Sequence, residues 1–273
     1  MAIEAYFERI GYTGPRAPNL DLLHALQLLH QTAIPFESLD PLLGLPVALD
    51  PPALEEKLVR RRRGGYCFEQ NGLFFHVLTA LGFDVTPLAA RVRWMQPENA
   101  PRTPLSHMLL KVSLDGADFI CDVGFGGQSP TAPLRLKSNE EQRTPHGSYL
   151  IRRRDPEFEL EMQLPTGFSP MYRFTEEPQS TRDFEVFNWY TATHPASRFV
   201  NNLVAARVRQ DGRVTLLNDE WTFQSTTGSR ENRILAAPAD VHEALVCDFG
   251  LVIAIEDIER VWLRLPRNMS KSN

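Results

Sequence analysis

This 273-residue sequence is poor in cysteine, lacks a long apolar run and has no excess of basic charge. Its three cysteines, Cys67, Cys121 and Cys247, are an odd and widely scattered set. That argues against a disulfide framework and makes a reducing cytoplasm the expected setting. No stretch approaches the roughly 18 apolar residues of a membrane helix. The first ten residues carry Glu4 and Glu8 and no apolar centre, so they do not read as a signal peptide. Twenty-nine Lys and Arg against 34 Asp and Glu leave a formal charge of −5, which argues against a nucleic-acid surface. No cysteine pair has zinc-ligand spacing. His242-Glu243 begins like a zinc-protease helix, but Val246 stands where the second histidine is needed, so no metal is expected. Gly124-Phe125-Gly126-Gly127 is neither a dinucleotide fingerprint nor a P-loop.

What is present is an ordinary globular composition, 42% hydrophobic and 23% charged, with no repeat or flexible linker. Residues 1 to about 85 read as helical. Leu20, Leu22, Leu23, Leu26 and Leu29 recur at helical spacing, with Asn19 or Asp21 as cap, until Pro35. Pro51-Pro52 suits a second helix start, with Leu54, Leu58 and Val59 on one face. A third helix is expected from Cys67 to about Leu81, stopping at Gly82. From Val85 the period changes to strands: Val92 to Trp94, His107 to Leu114, Asp118 to Val123, Tyr149 to Arg152, Phe158 to Met162, Leu203 to Val208 and Arg213 to Leu217. A last helix runs from Asp240 to Gly250. Stretches 97–104 and 165–178, which carry prolines, read as loops. The division expected is 1–85 helical, 86–195 β-rich and 196–273 mixed.

The chemistry centres on Arg63-Gly64-Gly65-Tyr66-Cys67-Phe68-Glu69-Gln70-Asn71. Two glycines break the chain, and a thiol stands where a helix begins. Unpaired N–H groups and the positive end of the dipole favour a thiolate there. Such a nucleophile needs a base, and the base needs an orienting acid. Asp115-Gly116 reads as a two-residue hairpin turn, so Leu114 faces Ala117, His107 faces Gly124 and Asp122 faces Leu109. His107 and Asp122 then share one face as diagonal neighbours, about 7–8 Å apart at the backbone. Met108, Leu110, Val112, Phe119, Cys121 and Val123 form the opposite, apolar face. Cys67, His107 and Asp122 are the candidate triad, and small residues at Gly124-Phe125-Gly126-Gly127 allow close approach.

Bland readings stand beside these. A cysteine at a helix start is ordinarily a small buried hydrophobe, and Cys121 and Cys247 read as structural. Arg60-Arg61-Arg62-Arg63 reads mostly as a solvated helix end. Phe36 and Phe125 read as core.

Taken together, the cysteine segment, Ser106-His107-Met108-Leu109-Leu110, Asp122-Val123-Gly124-Phe125-Gly126, Ile34-Pro35-Phe36-Glu37-Ser38-Leu39 and Asn188-Trp189-Tyr190-Thr191 resemble the arylamine N-acetyltransferases. The resemblance implies an α+β, cysteine-protease-like fold with an N-terminal helical bundle, a central β-barrel and a C-terminal α/β lid. It implies acetyl transfer from acetyl-CoA, as acyl-donor substrate, to an arylamine or arylhydrazine through a Cys67 thioester, with no bound cofactor. Phe36, Phe125, Gly126 and Gly127 would bind substrate. The alternatives are an amide synthase or another transglutaminase-like cysteine acyltransferase or peptidase, and an inactive binding scaffold.

Overall fold

A computed structural model describes residues 2–266. Five helices come first: α1 (Ile3–Ile10), α2 (Leu20–Ala33), α3 (Leu39–Leu43), α4 (Pro51–Leu54) and α5 (Cys67–Ala80), with the two-residue strand β1 (Phe36–Glu37) between α2 and α3. Asn19 is the cap of α2, its side chain accepting from the Leu22 N–H at 2.8 Å. Asp50 caps α4 in the same way, and α4 widens into a π turn over Glu55–Arg60. Leu54, Leu58, Val59, Phe68, Phe74 and Leu78 meet in one core with α1 and α2.

The expected hairpin forms with the expected register. Strand β3 (Leu105–Leu114) pairs with β4 (Ala117–Cys121), Leu114 opposite Ala117, about a turn in which Asp115 and Gly116 both have positive φ. With β2 (Asp84–Val92), β5 (Leu134–Arg135), β6 (Glu141–Thr144), β7 (Gly147–Arg154), β8 (Glu157–Leu164) and β9 (Gly167–Phe174), they form an eight-stranded sheet in the order β5-β4-β3-β2-β9-β8-β7-β6. The sheet curls into a nearly closed barrel. The Gln142 amide bridges its two edges, accepting from the Arg135 N–H at 2.7 Å and donating to the Arg135 carbonyl at 2.9 Å.

One expectation is overturned at once. Residues 167–174 are a strand, not part of a loop. The misleading residue, Pro170, pairs beside a register shift at Leu160/Glu161, where a missing N–H is tolerated. The hairpin also has no open face. Met108, Leu110, Val112 and Cys121 pack on the helices, whereas Leu109 and Ile120 pack inside the barrel, so both faces are buried.

The remainder comprises α6 (Thr181–Thr193), α7 (Arg198–Asn201), β10 (Val204–Arg209), β11 (Gly212–Leu217), β12 (Glu220–Ser225), β13 (Arg230–Ile234), α8 (Pro238–Cys247) and α9 (Ile255–Trp262). Helix α6 occupies a segment read as β-rich, with Ser180 as its cap. Strands β10–β13 form a second sheet whose edge partner is β1. Leu39, Leu42 and Leu43 of α3 pack in the core of this C-terminal part. Cys247, read as structural, is exposed; Cys121 is buried.

Behind α5 lies a buried polar chain. The Tyr6 hydroxyl donates to His30 Nδ1 (3.0 Å), His30 Nε2 donates to Gln70 Oε1 (2.7 Å), and Gln70 Nε2 donates to the Pro35 carbonyl (2.7 Å). Burial pushes His30 down to about 4 from an ordinary 6.5, against the opposing bond to Gln70. The folded state therefore takes up His30's proton later than the unfolded chain does. The associated stability is complete above pH 6.5 and is lost as pH falls toward 4. We predict that denaturant unfolding across this window shows a wild-type loss of about 3 kcal/mol relative to His30→Gln. Parallel pH dependences for the two proteins would contradict this.

Candidate active site

The chain enters the site through contacts that only glycine permits. A Cβ on Gly64 would lie 2.2 Å from the Pro35 carbonyl oxygen, and one on Gly65 would lie 2.8 Å from Glu69 Cβ. Gly65 thus rests against β1, where its carbonyl accepts from the Glu37 N–H at 3.0 Å. Arg63 is the exception in the four-arginine run. It pairs with buried Glu37 (2.7 Å) and Asp40 (2.9 Å). Lys57 pairs with Asp40 (2.6 Å) and with Glu69 (2.5 Å), on the first turn of α5. Glu69 in turn accepts from the Tyr66 N–H (3.1 Å), and Tyr66 donates its hydroxyl to Asn188 of α6. The segment leading to the thiol is therefore anchored on both sides, and Cys67 is the first residue of α5.

Pairing of β3 with β4 stops at Leu110 and Cys121. Continued in register, Leu109 would face Asp122 and Met108 would face Val123, and Asn71 stands between that last pair. Its Nδ2 donates to the Met108 carbonyl (2.7 Å), and its Oδ1 accepts from the Val123 N–H (3.0 Å). One side-chain amide thus substitutes for the missing ladder bonds. Nδ2 also donates to Asp122 Oδ1 (2.9 Å), which accepts from the Gly124 N–H as well (2.8 Å). The other carboxylate oxygen meets His107 Nε2 at 2.7 Å. A Cβ on Gly124 would fall 2.9 Å from Cys67 Cα, so only glycine lets the aspartate loop close on the helix end.

His107 and Asp122 are thus joined directly and are almost fully buried, at 2% and 0% exposure. Cys67 sits against the same strand, its thiol donating to the Ser106 carbonyl at 3.5 Å. A register shift places Ser106 in a bulge between Leu105 and His107. With Nε2 engaged, Nδ1 is the ring nitrogen that can face the sulfur.

The ionisation picture is less simple than the helix-end argument. Burial, together with the Asp122 charge, raises the Cys67 thiol well above its ordinary value, and N–H groups of Met108 and Phe68 offset this only in part. The helix end alone does not yield a thiolate. Burial also acts to raise Asp122, but the His107 charge and the hydrogen bonds from His107, Asn71 and Gly124 outweigh it and hold the carboxyl low. Asp122 thereby presents a fixed carboxylate oxygen that holds the His107 ring by its Nε2.

Aromatic rings enclose the pair. Phe125 stands edge-on to His107 (5.1 Å, 86°), and Tyr172 of β9 lies 4.9 Å from the same ring. Phe36 is buried, faces Phe199 at 5.8 Å, and lies 3.6 Å from where a Gly126 Cβ would be. Gly127 abuts Thr215 of β11, which a Cβ would meet at 2.6 Å. Phe36, Gly126 and Gly127 line one small cavity together with Arg213, whereas Phe125 packs against His107 and Tyr172. Asn71, Tyr172 and Phe199 were not among the expected site residues. Asn71 lies one helical turn beyond Cys67, a spacing that could have revealed it. Tyr172 is hidden in the segment misread as a loop.

The N-acetyltransferase family model matches residues 19–258. Mycobacterium tuberculosis arylamine N-acetyltransferase is 44% identical over 93% of this chain and 90% of the relative. The chain belongs to the arylamine N-acetyltransferase family. The Escherichia coli member is 42% identical over 90% of this chain and 87% of its own length. The solved M. tuberculosis arylamine N-acetyltransferase superposes with a TM-score of 0.93 at 41% identity, covering 97% of this chain and all of that one. The Mycobacterium marinum arylamine N-acetyltransferase in complex with CoA gives 0.93 at 38% identity, with the same coverage.

In this family member, Asn71→Ala should cost about 2–4 kcal/mol in denaturant unfolding, because it unpairs Met108 and Val123 backbone groups and removes a donor from Asp122. Asn71→Asp should lose more at pH 7 than at pH 5, through like-charge repulsion. Iodoacetamide at neutral pH should label Cys67 ahead of exposed Cys247 and buried Cys121. His107→Ala should slow Cys67 labelling by about a hundredfold or more and spare Cys247. Equal labelling of all three cysteines in the folded wild type would contradict the ion-pair account.

Proposed function

We propose that this chain transfers an acetyl group from acetyl-CoA to the nitrogen of a small arylamine or arylhydrazine by a ping-pong route through a Cys67 thioester. The observation that carries this reading is the buried His107–Asp122 pair set against the helix end that bears Cys67. Cys67 passes its proton to His107 and attacks the thioester carbonyl. CoA leaves as its thiol, taking that proton. The amine then attacks the acetyl carbon and gives a proton to His107, and Cys67 leaves and is reprotonated. Asp122 holds the ring and stabilises its charged form. The Cys67 N–H, at the helix start, is the proposed oxyanion donor.

Acetyl-CoA as donor is supported by the CoA complex of the similar M. marinum enzyme. A weakly basic arylamine is unprotonated at neutral pH and suits an aromatic crevice, to which Phe36, Phe125, Gly126 and Gly127 would contribute. Water is the competing acceptor, and the C-terminal part from residue 196 to the end of the described residues at 266 acts as a lid over the site in this reading. Three free cysteines suit a reducing cytoplasm. Among the described residues, no helix is long and apolar enough to cross a membrane.

Intact-mass analysis after exposure to acetyl-CoA should show one acetyl group on wild-type Cys67 and none on Cys67→Ala. His107→Ala should acylate slower by about a thousandfold or more. Initial rates with an aromatic amine should give parallel double-reciprocal lines. Peptide cleavage without acetylation would favour the peptidase reading, and transfer confined to longer acyl donors would favour the amide synthase.

A further inference from the structure

Arg213 of β11 holds a buried charge that the chemistry above does not use. It is 7% exposed, and its hydrogen-bond partners are all neutral. Nη1 donates to the Gly127 carbonyl (3.1 Å). Nη2 donates to the carbonyls of Ser129 (2.8 Å) and His146 (3.3 Å) and to the Tyr149 hydroxyl (3.1 Å). A guanidinium taken out of water without a carboxylate is costly unless oriented dipoles surround it. Here two of those dipoles, the Gly127 and Ser129 carbonyls, belong to the turn that follows Asp122.

That turn is gripped from three sides. Arg213 takes the Gly127 and Ser129 carbonyls. Tyr149 of β7 donates to the Gln128 carbonyl at 3.0 Å. Gln27 and Gln31 of α2 donate to the Pro130 carbonyl at 2.8 and 2.7 Å. Gly127 leaves no room for a Cβ against Thr215, so the turn lies directly on β11. Within it, Ser129 Oγ accepts from the Phe125 N–H at 2.7 Å. Of the side chains gripping the turn, only Arg213 is charged, and its planar fork reaches acceptors that a lysine point charge would not span together. Cys67 and Asp122 are held separately, by β3 and Asn71.

We infer that Arg213 is a positioning residue for the acceptor pocket: through the Gly127 and Ser129 carbonyls, the C-terminal sheet sets where Phe125 stands against His107. This rests on the acetyl-transfer reading for the identity of the acceptor. In a ping-pong reaction, kcat/KM for each substrate reports its own half-reaction, so the two effects separate. For Arg213→Lys, kcat/KM for an aniline acceptor should fall about tenfold, chiefly through KM, from loss of charge-assisted hydrogen bonds. kcat/KM for acetyl-CoA should stay within about threefold. Amide hydrogen exchange should quicken at Phe125 and Ser129 and stay unchanged at Val123. Arg213→Met should go further in the same direction; if it does not fold, Arg213→Lys decides. Equal losses in both half-reactions, or an unchanged acceptor KM, would overturn the inference. If wild-type Cys67 takes no acetyl group, the acetyl-transfer reading fails by itself. Exchange at Phe125 and Ser129 in Arg213→Lys then still decides the clamp, unchanged rates overturning it.

Discussion

The site depends on a wedge: the first turn of α5 enters the hairpin where β3 and β4 part, and the Asn71 amide takes over the bonds the strands no longer make. Two strands left apart in a buried sheet would strand polar backbone groups without water. Asn71 meets that requirement with one donor and one acceptor, and its second N–H reaches Asp122. A single side chain therefore both closes the sheet and orients the carboxylate that holds His107. The bulge at Ser106 and the glycine at 124 are the steric counterparts of this wedge, each allowing backbone and helix end to approach.

Electrostatics reinforce the same arrangement. Lys57, Arg63, Glu37, Asp40 and Glu69 form a buried network under the loop that carries Cys67. Burial pushes Glu69 up to about 7 against the pull of Lys57, so its charge is sustained by its partners, and breaking one pair disturbs the others. Burial likewise raises the isolated thiol. The helix dipole at the start of α5 is thus opposed by burial and by the nearby Asp122 charge.

The parts of the chain are interwoven. β1 leaves the helical region to pair with β10, and α3 packs in the C-terminal core. Asn188, within a motif noted in the sequence, accepts from Tyr66, the residue before Cys67. Arg213 reaches back to the turn after Asp122. Such cross-connections hold the segments around Cys67, His107 and Asp122 from several parts of the chain at once.

The sequence by itself determined the start of α2, with Asn19 one of two candidate caps, the hairpin register and the shared face of His107 and Asp122. Each follows from short-range rules: an Asn before a leucine-periodic run, an Asp-Gly turn and the two-residue period of a strand. It also marked Gly64-Gly65 as a break in the chain and Gly124 as a place of close approach, though not what approaches there. Tertiary structure alone decided the rest. The strand at 167–174 forms because a neighbouring bulge accepts Pro170, and it brings Tyr172 to His107. Helix α6 overrode the β-rich reading of its segment, and Cys247, read as structural, is exposed. The thiol's ionisation is set by burial and by Asp122, both products of packing. Periodicity reports which face a residue occupies; only the folded arrangement determines what occupies the space beyond that face.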